Sequence, residues 1–251
     1  MENLVKEYKK GHKILRIVYD DNPENPRDWD NLGTMVCFHR RYNLGDPHNY
    51  REPDDFLFDL LEQTVGDTDK AERFVKKISD SINRELYRSY GAYKKAVDDE
   101  IIDIIRKKFI ILPLYLLDHS GITISTSPFS CPWDSGQVGW IYVSKDDVCG
   151  VYGVKHITPT VKRWAIGVLE AEVEEYDIYL RGEVYGYKLY HIDEAKLEAY
   201  LKAAGLEREN LSDRELELFL VEEDSCWGFF GDDFRANGLL EYVGREWEGV
   251  I

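Results

Sequence analysis

Phe109-Ile110-Ile111-Leu112-Pro113-Leu114-Tyr115-Leu116-Leu117 is an apolar run that stops abruptly at Asp118-His119-Ser120-Gly121. A short apolar run closed by turn residues reads as a buried strand, here about 110–117. In the next segment Ile122, Ile124 and Thr126 fall on one face of an extended chain and Thr123, Ser125 and Ser127 on the other, so one face is buried and the other is a row of hydroxyls. The loop Pro128-Phe129-Ser130-Cys131-Pro132-Trp133-Asp134-Ser135-Gly136 leads to a third strand, at about 138–143. Three strands in sequence predict a β-meander with 122–127 at its centre.

Upstream, Lys13 to Tyr19 and Thr34 to Tyr42 read as two strands of an antiparallel hairpin, joined by the turn-rich loop Asp20 to Gly33. Helices follow. Asp54 or Asp55 can cap Phe56 to Thr64, and Thr68 can cap a helix carrying Phe74, Val75, Ile78 and Ile82. A third helix spans about 97–108 and ends in Arg106-Lys107-Lys108, which suits the negative end of a helix dipole. Downstream, Thr158-Pro159 is a cap followed by a favoured first helical residue, and Gly182 closes that helix. Glu183 to Tyr190 reads as a strand, Asp193 caps a helix to Ala204, and Glu217 to Phe230 is a strand pair or one long bent strand. Arg235 to Trp247 reads as a helical tail. The sum is an α+β fold with antiparallel sheets, a hairpin plus a central meander, and helices packed to one side. A division into 1–152 and 153–251 would fall at the glycines around Gly150 and Gly153.

The 251 residues carry 48 acidic against 32 basic side chains, a net charge of −16. Thirteen of the acids lie in residues 201–251 beside five cations. Such a field repels phosphate backbones, so direct nucleic-acid binding is not expected. It favours a partner with a basic surface. No run reaches the roughly 18 apolar residues that span a membrane, and the four cysteines, with no CxxC pair, fit a reducing cytoplasm. Walker A, GxGxxG, GxSxG and HExxH patterns are missing from the sequence.

The stretch Tyr19-Asp20-Asp21-Asn22-Pro23-Glu24-Asn25-Pro26-Arg27-Asp28-Trp29-Asp30-Asn31-Leu32-Gly33-Thr34-Met35-Val36-Cys37-Phe38-His39 resembles proteins encoded by bacteriophages and integrated mobile elements. So do Leu117-Asp118-His119-Ser120-Gly121 and Asp224-Ser225-Cys226-Trp227-Gly228-Phe229-Phe230-Gly231-Asp232-Asp233. The resemblance covers most of the chain. It implies a setting, the cytoplasm of a bacterial host, and assigns no activity and no catalytic residue. Small acidic proteins of such elements often inhibit host defence systems, some as DNA mimics.

Four constellations carry chemistry. Asp20, Asp21, Asp28 and Asp30 offer oxygens to a divalent metal, the one cofactor the sequence suggests; turn hydrogen bonding is the competing use. Asp118 and His119 can act as acid and base, with Lys145, Asp146 and Asp147 brought near by the meander. The residue types Cys131, His119 and Asp134 permit a Cys–His–Asp set, but in that meander Cys131 and Asp134 would stand about 20 Å away, at the far end of strand 122–127, so the loop would have to fold back to form it. His39, Arg40 and Arg41 form a basic spot suited to an anion, at the polar end of a strand whose alternation puts Met35, Cys37, His39 and Arg41 on one face. Lastly, Glu222, Glu223, Asp224, Trp227, Phe229, Phe230, Asp232 and Asp233 combine charge with aromatic anchors, as a protein-binding patch does. The leading expectation is an accessory protein that binds and inhibits a host protein, one that handles nucleic acid. A metal-dependent hydrolase or nuclease of small nucleotides is the alternative, and a component of virion or replication assembly a third.

Overall fold

The computed structural model describes residues 3–131 and 133–250. In chain order its strands are β1 (Leu4–Lys10), β2 (Lys13–Tyr19), β3 (Thr34–Cys37), β4 (Phe109–Asp118), β5 (Ile122–Ser125), β6 (Ser135–Ser144), β7 (Val184–Ile192) and β8 (Leu220–Phe230). Its helices are α1 (Pro53–Val65), α2 (Thr68–Ser81), α3 (Tyr90–Ile105), α4 (Lys145–Tyr152), α5 (Pro159–Leu180), α6 (Glu194–Ala204), α7 (Asp213–Leu216) and α8 (Leu239–Val243). Two antiparallel sheets make the fold α+β, with strand orders β1-β2-β7-β8 and β3-β6-β4-β5.

The chain forms two compact units, Met1–Asn25 with Ile178–Ile251, and Pro26–Asp177. Neither boundary falls at 152/153. β2 takes β7 as its second neighbour, with Lys13 opposite His191 and Tyr19 opposite Tyr185, and this pairing draws the first residues to the C-terminal part of the chain.

The expected hairpin of 13–19 with 34–42 does not form. Ile14, Leu15, Ile17 and Val18 are all buried, so β2 is covered on both faces and sits between two neighbours. One neighbour, β1, has only half-buried Val5 and Tyr8 to mark it among four charged residues. β3 is four residues long and pairs with β6 in the other sheet.

The meander is also reordered. β4 is the central strand, flanked by β5 and β6, and β5 is an edge. Burial explains the order: Phe109, Ile110 and Ile111 are consecutive buried residues, as a central strand requires, whereas only Ile124 of β5 is buried. β6 therefore starts opposite Leu117 and ends opposite Phe109, with Ser135 and Ser144 as the respective partners.

In the 26–177 unit, α1, α2 and α3 pack on one sheet face around Phe56, Leu60, Ile101, Ile105, Phe109 and Trp140. Phe56 meets Trp140 and Tyr142 at ring separations of 5.5 and 5.3 Å. The opposite face receives α5, whose Leu169 reaches the same space beside Gly33 as Ile141 does. Helix starts follow local chemistry; those of α1 and α2 shift little from expectation, whereas α3 begins at Tyr90 rather than about 97 and ends at Ile105. α1 begins at Pro53 after an extended Glu52, leaving Asp54 and Asp55 in its first turn. Asp67 rather than Thr68 caps α2, and Ser89 caps α3. Thr158 Oγ1 accepts from the Val161 N–H at the start of α5, as expected. At Gly139 a Cβ would lie 1.9 Å from the Val36 carbonyl oxygen, so only glycine lets β3 approach β6 there.

In the other unit, Leu15, Ile17, Tyr187 and Phe229 meet Phe234, Leu239, Val243 and Trp247, so the C-terminal segment covers one face of the sheet. A smaller cluster joins Ile192, Leu197 and Phe219.

Candidate functional site

Residues 220–230 form one continuous strand with two register irregularities against β7, the long bent strand of the two sequence alternatives. β8 is the last strand of its sheet, and Glu222, Glu223, Asp224, Ser225, Trp227 and Gly228 are exposed along it. The register irregularity between Leu189 and Tyr190 breaks the alternation at Glu223, so Glu223 and Asp224 share the face of Tyr187 and His191 while Glu222 takes the other. On one face Asp224 accepts from the Tyr187 hydroxyl at 2.6 Å. Glu223 lies 3.8 Å from the Lys13 ammonium and 3.1 Å from His191 Nδ1. Trp227 lies flat over Gly186, where a Cβ would come within 2.2 Å of the indole, and the Lys188 ammonium stands 5.9 Å from its ring centre. Glu222 has no ion-pair partner among the described residues.

Part of the expected patch is structural. Phe229 is 5% exposed and belongs to the core, and Phe230 is half-buried, because β8 turns its aromatic end inward to meet the C-terminal segment. Asp233 accepts from the Arg235 and Ala236 N–H groups and closes a turn. What stays open is the acidic middle of the strand, with Trp227 beside it and Asp232 past its end.

The second location is the end of β4. Here the expectation that Cys131 and Asp134 are remote from His119 fails. The chain doubles back after β5, the Asp118 N–H donates to the Asp134 carbonyl at 2.8 Å, and β6 begins beside β4. His119 Nδ1 lies 3.1 Å from Asp134 Oδ2, and the Cys131 thiol donates to the same oxygen at 3.6 Å. Their order is thiol, carboxylate, imidazole. Nucleophile activation needs the imidazole between the other two. The His119 side chain is 71% exposed, so water reaches it freely.

Asp118 is ion-paired with Arg41. Lys145, Asp146 and Asp147 stand at the opposite end of the sheet, because β6 runs away from Asp118; there Lys145 donates to the Arg106 and Lys107 carbonyls at 2.7 and 3.0 Å. The basic spot dissolves likewise. β3 stops at Cys37, and His39 Nδ1 accepts from the Arg41 and Tyr42 N–H groups while its ring stacks on Tyr42 at 4.9 Å. Burial pushes the Cys37 thiol up to about 12, which makes it an inert core residue.

The acidic loop is held by an arginine that the sequence reading passed over. The Arg27 side chain is 2% exposed. Its Nε and Nη2 donate to the two Asp46 oxygens at 2.8 and 2.9 Å, and Nη2 also reaches the Gly33 carbonyl at 2.7 Å. Glu172 of α5 lies 3.3 Å from Nη1 and accepts from the Leu32 and Gly33 N–H groups. Burial pulls the Arg27 pKa down, and the Asp46 pair outweighs it, so the value rises. Asp20 closes a turn on the Asn22 N–H at 3.0 Å, and Asp21 accepts from Asn3. Asp28 lies in a short 3₁₀ turn, Pro26–Asp28. Among the described residues no group of three or more His, Cys, Asp or Glu side chains is placed to hold a metal ion. The signal for this corner was available: Arg27 is the only cation between Asp20 and Gly33.

A cleft of about 470 Å³ in the 26–177 unit is lined by Phe38, Ile102, Val138 and Trp140, with Tyr90, Lys94 and Asp98 among its polar groups. Lys94 pairs with Asp54 at 2.7 Å and also with Asp98. Burial raises the Asp98 carboxyl despite that partner. These charges satisfy one another and leave no aimed group for a ligand.

No family model, curated protein or solved structure matches this chain. None of the helices among the described residues is long and apolar enough to cross a membrane.

Proposed function

We propose that the protein is an accessory factor of a bacteriophage or mobile element that binds, and thereby inhibits, a host protein with a basic surface. The reading is carried by one observation: Glu222, Glu223 and Asp224 lie exposed on a terminal strand, beside a half-open tryptophan, in a chain of net charge −16. Long-range attraction from such a field raises association rates with a cationic surface and opposes binding to nucleic acid. Trp227 supplies a rigid apolar contact that charge alone does not. The resemblance of the sequence to mobile-element proteins supplies the setting. The test is retention of bacterial lysate proteins by the wild type and by a Glu222→Lys/Glu223→Lys variant, at about 0.15 M salt, where the screening length is about 8 Å, and at high salt. A protein held only by the wild type, and only at low salt, supports the reading. Equal retention by both chains removes it.

A second reading follows the strand-end cluster. Asp134 orients the His119 ring through Nδ1, so the other ring nitrogen is open to act as acid or base in a hydrolase of small nucleotides. Nucleotide turnover that vanishes in His119→Ala, with the melting temperature unchanged, supports it. No turnover with or without Mn²⁺ removes it.

A further inference from the structure

We propose that β8 is a docking edge that takes an extended, lysine- or arginine-rich segment of the partner as a fifth strand of its sheet. The proposal rests on the partner-binding reading above and names what that partner must present.

β8 is eleven residues long and pairs with β7 alone, so its other side offers a row of backbone donors and acceptors that no described strand occupies. Such an edge is a template for strand addition, with main-chain hydrogen bonds giving affinity and side chains giving selection. The side chains here select for charge. Glu222, Glu223 and Asp224 are consecutive, and the register irregularity beside them sets Glu222 on one face of the sheet and Glu223 and Asp224 on the other. An incoming strand with cations on both faces finds partners across the ladder. Acidic side chains also repel a second β8 edge, which protects the free protein from pairing with itself. The edge is thus closed to its own kind and open to a basic strand. Beyond the acids, Trp227 lies flat over Gly186 and presents an apolar ledge to the next residues of an added strand.

The edge of β1 competes for the role of partner, because it carries Lys6, Lys9 and Lys10. The net charge of −16 on each copy opposes that pairing, and the segment of another protein is the occupant we assign.

The experiment uses the full chain and a synthetic capped peptide of eleven residues in a lysine-lysine-valine-valine repeat, which as a strand carries cations on both faces, with a glutamate-for-lysine peptide as control. Calorimetry gives affinity, and hydrogen exchange reads the amides of residues 220–230. Prolines are placed singly at Asp224 and Ser225. Neighbouring N–H groups of a strand point to opposite sides, so one of these faces β7 and the other faces outward. The outward position is identified as the one whose proline leaves the melting temperature unchanged. The expected result is binding of the lysine peptide only, slowed exchange along 220–230, and at least tenfold weaker binding in the outward proline variant. Binding that the outward proline does not weaken, while Glu222→Lys/Glu223→Lys abolishes it, overturns strand addition and leaves the acidic-surface reading standing. Binding indifferent to charge reversal overturns that reading. Absence of lysine-peptide binding, or of slowed exchange at 220–230, overturns strand addition whether or not a proline variant folds. Concentration-dependent self-association of the free chain, lost in the outward proline variant, gives the edge to a second copy and overturns the proposal.

Discussion

Arg27 and Glu222 are both charged residues in acid-rich segments, and the fold treats them in opposite ways. Arg27 is 2% exposed, gripped by both Asp46 oxygens and close to Glu172. Glu222 lies open on the edge of β8 with no ion-pair partner among the described residues. Charge that is buried must be matched, because an unpaired ion in the interior costs several kcal/mol. Charge left unmatched on a surface costs almost nothing and stays available to a partner. The comparison separates acids that hold the fold from acids that can act outside it.

The largest expected effect breaks the buried side. Arg27→Met removes the cation between Asp46 and Glu172 and leaves both carboxylates poorly solvated, so unfolding in urea should show a loss of about 3–5 kcal/mol. The matching change on the open side, Glu222→Gln, should stay within about 0.5 kcal/mol. Equal losses at the two positions would end the distinction.

A smaller effect tests the ledge beside the acidic run. Gly186→Ala drives a methyl group into the Trp227 ring, and the clash should cost about 1–3 kcal/mol, with a change in tryptophan emission. Gly186→Ala made in a Trp227→Ala background should cost much less, since the obstructing ring is gone.

How much of this could be read from sequence follows from range. Caps and stops are local, so Thr158-Pro159, Asp193 and the glycines at 182 and 205 were legible and sit at helix ends as expected. Strand pairing is not local. β2 lies beside β7 across more than 160 residues, and nothing in Lys13–Tyr19 names that partner. Two adjacent buried pairs, Ile14-Leu15 and Ile17-Val18, did say that the strand needed neighbours on both sides. The same logic, applied to Phe109-Ile110-Ile111, would have put β4 in the middle of its sheet and brought Asp134 to His119. The acidic run at 222–224 was legible as a surface, while Phe229 was misassigned because hydropathy alone does not tell a core aromatic from an anchor.

A third prediction sharpens the comparison through pH. Burial is the larger cause that raises the Glu175 carboxyl, and the neighbouring Glu172 charge adds to it. A carboxyl with a raised folded-state pKa binds its proton more readily in the native protein. The ionised form therefore destabilises the fold above that pKa, and the penalty fades as pH falls through it toward the ordinary 4.5. Glu175→Gln should raise the melting temperature at pH 7 and lose that gain near pH 4. A gain that persists at low pH would mean packing rather than charge is responsible.

The smallest effect on stability is the one with the largest bearing on function. Glu222→Lys/Glu223→Lys exchanges two edge carboxylates for ammonium groups on a strand that is already open to water. Glu223 has Lys13 at 3.8 Å and His191 at 3.1 Å, contacts of half-exposed side chains that contribute little in water, so the melting temperature should move by only a degree or two. Association with a cationic partner should fall by more than tenfold at low salt and converge with the wild type at high salt, where screening removes what the carboxylates supplied. If stability collapses instead, those acids belong with Arg27 among the residues that hold the fold, and β8 has no charge to spare for a partner.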